Sequence, residues 1–133
     1  MKNTRAVRHI TVSINRSPTE VYAFASKPEN LPKWASGLGG SIKNVDGEWI
    51  ADSPMGKIKI RFAKLNDLGV LDHEVILESG EKFQNPMRVV ANGEGSEVTF
   101  TLFRQPDMTD EKFEADAQWV EKDLATLKSL LER

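Results

Sequence analysis

The run 109–133 limits most strongly what this chain can fold into. Phe113, Ala117, Val120, Leu124, Leu127 and Leu131 recur in steps of four and three. That spacing draws one apolar stripe along about five turns of α-helix. Thr109 is placed as N-cap, with Asp110 and Glu111 in the first turn, where carboxylates suit the helix dipole. Met108 and Phe113 are spaced for a hydrophobic staple. A stripe this long has to be covered, and the rest of the chain supplies only short alternating runs to cover it.

The first of these runs spans residues 7 to 15, with Ile10, Val12 and Ile14 on one face and His9, Thr11, Ser13 and Asn15 on the other, the pattern of a half-buried strand. Ser17-Pro18-Thr19-Glu20 is a capping box with proline at the first helical position. Pro28 ends the helix that starts there, and 28–35 predicts a second short helix delivering Trp34. Gly37-Leu38-Gly39-Gly40 reads as a hinge. It precedes a strand instead of following one, and Ile42 stands where a dinucleotide loop needs its third glycine.

Strands are predicted near 41–46, 48–53, 56–64, 69–78, 82–92 and 96–104. Asp46-Gly47, Ser53-Pro54, Asn66-Asp67, Ser79-Gly80 and Asn92-Gly93 separate them. A hairpin centred on Asn66-Asp67 would pair Arg61 with Asp72, Lys59 with Glu74, Phe62 with Leu71, Ile60 with His73 and Ile58 with Val75. Both faces are chemically consistent in that register. It also makes Lys57, Lys59 and Arg61 a charge-paired solvent face.

The order is strand, two short helices, six strands, one long helix. A single antiparallel sheet must curl round such a helix to bury it. The expectation is an α+β chain, with about seven strands wrapped around the C-terminal helix. At this point the residues resemble the START-related (SRPBCC) superfamily with its helix-grip fold, which includes polyketide cyclases, plant pathogenesis-related proteins and lipid-transfer domains. Ile10 to Ile14, Ser17-Pro18-Thr19-Glu20-Val21-Tyr22 and Pro28-Glu29-Asn30-Leu31-Pro32-Lys33-Trp34 resemble its usual start. Leu71-Asp72-His73-Glu74-Val75, Pro86-Met87-Arg88-Val89-Val90 and Phe100-Thr101-Leu102-Phe103-Arg104 are similar to a bacterial branch of polyketide cyclase/dehydrase-like proteins. The resemblance covers essentially the whole chain. It implies a fold and leaves the activity open, because enzymes, carriers and sensors share it.

The totals narrow the function classes. The chain has 133 residues, enough for one domain and too few for two. A formal net charge of −2 argues against nucleic acid as partner. No segment reaches the roughly 20 apolar residues of a membrane span, and no signal-peptide core follows Met1-Lys2-Asn3-Thr4-Arg5. Cysteine is absent, which removes disulfides and thiolate chemistry and fits a reducing cytoplasm. With His9 and His73 the only histidines, and Asp72 and Glu74 facing away from His73, no metal site is expected. No cofactor is expected either.

His73 alternates with Leu71, Val75 and Leu77 on the inward face. It is either a hydrogen-bonded core group or a proton-transfer residue. Matching inward faces places it near Asn85 and Met87, and brings Asn85 toward Arg104, which could equally snorkel to water at a strand end. Trp34 and Trp49 are candidate walls, or ordinary packing. Phe113, Ala117, Val120 and Leu124 would form the opposite wall. Asp116 flanks the stripe one turn after Lys112, as a surface ion pair would. Few polar groups in an apolar concavity make a small-molecule site. The expected partner is therefore a small, largely hydrophobic molecule. Two alternatives stay open. One is a cyclase-, dehydratase- or isomerase-type enzyme using His73. The other is an interaction domain with a filled core, in the manner of the chaperone-ATPase activators the superfamily also resembles.

Overall fold

In the computed structural model, residues 4–37 and 41–133 are described; Leu38, Gly39 and Gly40 of the expected hinge lie outside them. Strand β1 (Val7–Ile14) leads into α1 (Pro18–Ala25), a 3-10 turn (Pro28–Asn30) and α2 (Leu31–Trp34). Seven further strands follow: β2 (Ile42–Val45), β3 (Glu48–Ser53), β4 (Gly56–Phe62), β5 (His73–Leu77), β6 (Lys82–Asn85), β7 (Met87–Asn92) and β8 (Gly95–Phe103). The long helix α3 (Asp110–Leu131) closes the chain.

Local signals act where they are written. The Ser17 hydroxyl accepts the Glu20 N–H at 3.2 Å with Pro18 in the first turn. The Thr109 hydroxyl accepts the Lys112 N–H at 3.1 Å. Asp46 and Gly47 both take positive φ, 53° and 85°, which makes a tight turn whose twist suits a hairpin.

Every strand pairing is antiparallel, in the orders β1-β8-β7 and β2-β3-β4-β5-β6. The two groups are stitched by Leu71 N–H to Met87 O (2.8 Å) and Val89 N–H to Gly69 O (3.0 Å). Gly69 permits this crossing: its φ is +73°, and a Cβ there would lie 2.1 Å from the Val89 carbonyl oxygen.

The expected single strand 82–92 is broken at Pro86. Its register nevertheless runs straight through, since His73 opposes Asn85 on one side of the break and Val70 opposes Arg88 on the other. Proline has no N–H to give the ladder, so the pairing lapses there.

The expected β4–β5 register is off by two residues. Arg61 lies opposite Glu74, Phe62 opposite His73, Ile60 opposite Val75, Ile58 opposite Leu77 and Lys59 opposite Ile76. A two-residue slip keeps every side chain on its face, so alternation could not detect it. The cause is the connection. Asn66 does not make a tight hairpin; its Oδ1 accepts from Leu68 and Val70 N–H, and its Nδ2 donates to Lys64 and Val70 carbonyls. Its own N–H is held by the Tyr22 hydroxyl at 2.9 Å. The outer basic residues find partners on β3 instead of β5: Arg61 pairs with Glu48 at 3.0 Å and Lys57 with Asp52 at 3.3 Å.

Helix α3 lies along β1 and against α2. Leu124, Leu127 and Ala117 are sealed in a core with Ile10, Ile14, Val21, Val98 and Met87. Arg8 pairs with Glu114, the Lys128 ammonium reaches the Ser13 carbonyl at 2.7 Å, and the Asp123 carboxylate accepts both the N–H and the hydroxyl of Ser36.

Candidate functional site

The break at Pro86 sets the state of His73. In a regular ladder the Leu71 carbonyl would accept the Met87 N–H. Here that N–H goes to the Asp72 carboxylate at 2.9 Å, and the Leu71 carbonyl instead meets His73 Nδ1 at 3.1 Å. A carbonyl only accepts, so Nδ1 carries the hydrogen and the neutral ring keeps its lone pair on Nε2. Burial pushes the imidazole pKa below its ordinary value, opposed by the Leu71 carbonyl and by the Asp72 charge.

The ring stacks on Phe62, with centroids 5.1 Å apart, and meets Phe100 edge-on at 6.0 Å. Asp72 itself is held ionised well below the usual carboxylate range by the Arg88 guanidinium, which grips both oxygens at 3.1 and 2.9 Å, and by the Met87 N–H.

Two cavities flank this histidine through its cross-strand neighbours. Phe62, its partner on β4, lines a cavity of about 520 Å³ with Trp49, Ile60, Leu65, Pro28 and Lys27. Asn85, its partner on β6, lines another of about 270 Å³ with Val75, Phe83, Leu102 and Met108. Lys112 and Asp116 of α3 border the second cavity, ion-paired at 2.6 Å.

The expected site residues therefore divide. His73 and Asn85 are brought together as expected, and Trp49 lies at a cavity wall. Arg104 does not converge on Asn85. Its Nε and Nη2 donate to the Met108 carbonyl at 3.0 and 2.8 Å, and Nη1 pairs with Asp110. The guanidinium thus shapes the 104–109 connection and the start of α3. Trp34, Met87, Ala117 and Leu124 are buried in the core, while Phe113 and Val120 keep partial exposure. Trp34 Nε1 is buried with no hydrogen-bond partner among the described residues.

Phe83, Gln84 and Gln105 were not anticipated at a cavity. Pro86 was the available signal, because it ends a strand pairing and opens the sheet beside those residues. Among the described residues no three His, Asp or Glu side chains are grouped to hold a metal ion. Nor, among the described residues, is any helix long and apolar enough to cross a membrane.

Comparison with known proteins agrees with this architecture. Among curated proteins no sequence match was found. Similar solved structures include an uncharacterised protein from Bacillus thuringiensis (TM-score 0.74, 18% identity, 95% of this chain and 98% of that one). The Aha1 dimer from Colwellia psychrerythraea is also similar (TM-score 0.72, 19% identity, 96% of each chain), as is Ara h 8.0201 (TM-score 0.70, 15% identity, 95% of this chain and 97% of that one). At such identities the likeness is one of fold: the START-related helix-grip fold expected from the sequence. The family model described as polyketide cyclase / dehydrase and lipid transport matches residues 7–132. That span takes in every strand and helix from β1 to α3, and the chain belongs to this family.

Proposed function

We propose that this protein is a single ligand-binding domain, working in the cytoplasm, that holds a small, largely hydrophobic molecule between its sheet and the C-terminal helix. The observation that carries the reading is the cavity of about 270 Å³ walled by Val75, Phe83, Leu102 and Met108, with Asn85, Gln84 and Gln105 supplying polar contacts and the Lys112–Asp116 pair at its border. Apolar walls with few orienting groups suit such a guest. Native mass spectrometry of the freshly purified protein is expected to reveal a co-purified small molecule. Leu102→Trp, which fills the cavity, should remove it while the fold persists by circular dichroism. Retention of the same mass by Leu102→Trp would place the guest elsewhere.

A second reading, an enzyme of cyclase, dehydratase or isomerase type, is favoured by the fixed tautomer of His73. A neutral imidazole with its lone pair on Nε2 is a competent general base. On this reading His73→Gln abolishes turnover while affinity for an apolar guest is unchanged.

A further inference from the structure

The zipper between β7 and β8 stops where proline stops it. Met87 opposes Phe100, and the Pro86 carbonyl still accepts the Thr101 N–H at 2.9 Å. Pro86 has no hydrogen to return to the Thr101 carbonyl. Beyond that point β6 shares a ladder with β5 alone, while residues 102–103 of β8 pair only with β1.

The side chains along this seam face both ways. Phe83 and Asn85 share the concave face with Val75 and His73, on the α3 side. Lys82 and Gln84 point outward, as do Phe103 and its partner Val7. The convex face carries its own groove of about 670 Å³, lined by Thr4, Arg5, Val7, Lys82, Gln84, Phe103 and Gln105. Gln84, Phe103 and Gln105 line this groove and also the inner cavity of about 270 Å³. The three residues that border both spaces lie where β6 and β8, of the two strand groups, meet without a shared ladder.

The two spaces differ in chemistry. The inner one is walled mainly by apolar side chains, and the Lys112 charge at its border is already matched by Asp116. The outer one holds Arg5 and Lys82, neither of which has an ion-pair partner among the described residues. The Arg5 guanidinium is steadied by the Gln105 side-chain oxygen at 3.0 Å. The Glu74 carboxylate, opposite Gln84 on β5, accepts from the Gln84 amide and keeps its charge.

We infer that the seam between β6 and β8 below Pro86 is a lateral portal, and that the ligand is an amphipathic anion whose apolar body lies in the inner cavity and whose anionic end passes out to Arg5 and Lys82. This rests on the binding reading above and adds a charge and a direction to it.

Isothermal titration with octanoate and with octan-1-ol, which share a chain and differ in charge, tests it. Octanoate is expected to bind about fivefold more tightly at low salt, the gain two solvent-exposed ion pairs provide. Arg5→Glu/Lys82→Glu should erase that preference and leave octan-1-ol affinity unchanged. Gln84→Trp, which plugs the shared wall, should erase the preference too. Matching thermal melts establish that both variants are folded.

Absence of the preference in the wild type overturns the portal, as does its survival in either variant. Acetate bound as tightly as octanoate would make the groove a plain anion site and also overturn it. Equal binding of both probes leaves the hydrophobic-cavity reading standing, whereas failure of both to bind removes that reading as well.

Discussion

Leu124 and Leu127, on the second half of α3, are 1% and 0% exposed and locked into the core shared with β1 and α2. On the first half Ala117 is sealed as well, but Phe113 and Val120 keep partial exposure and Lys112 and Asp116 border open space. The sequence pattern of the two halves is the same. Their difference comes from what lies opposite. The second half packs against α2 and beside the Ser13 end of β1, whose pairing with β8 is unbroken from Val7 to Ile14. The first half also flanks β1, through Arg8 and Glu114, but its Lys112–Asp116 edge borders the cavity that Phe83 and Asn85 line. One end of the helix is anchored on Leu124 and Leu127, and the other borders the cavity of about 270 Å³.

Truncations along the helix should expose this division most strongly. Leu127→Ala is expected to cost about 2–5 kcal/mol, the range for a fully buried leucine. Phe113→Ala should cost less than half as much, because its site is already partly solvated. Urea denaturation of both variants measures the gap, and equal losses would mean that the two ends are packed alike.

A smaller effect concerns His73, which stacks on Phe62 and meets Phe100 edge-on. Its folded pKa lies below the ordinary value of 6.5. The unfolded chain therefore takes up a proton that the folded chain refuses, and stability falls as pH drops below about 6.5, down to the folded pKa. His73→Gln should flatten this part of the stability profile. Thermal melts between about pH 7 and pH 5 read it directly, and an unchanged slope in the variant would assign the pH response to other groups.

The smallest effect is expected at the packed end. Burial raises the pKa of Asp123 despite the two bonds from Ser36. The charged form is thus the penalised one, and stability rises as pH falls through the folded pKa toward 3.8. Asp123→Asn keeps an oxygen for Ser36 and removes the charge. It should be neutral or stabilising by less than about 1 kcal/mol at neutral pH, allowing for solvent screening. Chemical denaturation checks the sign, and a clear loss would show that the ionised carboxylate is needed to hold Ser36.

Much of the fold was legible in the chain. The caps at Ser17 and Thr109 act within one turn, the Asp46-Gly47 turn needs only its own backbone freedom, and period-2 alternation assigns faces without any partner. The inward placement of His73 and its meeting with Asn85 followed from the same alternation. The Arg104 side chain did not follow. It was free to choose between a cavity and the nearby Met108 carbonyl, and a backbone oxygen four residues away is nearer than a strand across the sheet. The β4–β5 register was equally invisible, because a slip of two leaves every face as it was.

The sequence by itself determined most of the elements, their order, the helix that had to be covered and the faces of the strands, since these depend on periodicities and caps that act over a few residues. Only the tertiary structure decided where the covering is incomplete. The seam at Pro86 and the tautomer of His73 both depend on which strands meet at one proline. That is a matter of register between residues far apart in the chain, and no local pattern carries it.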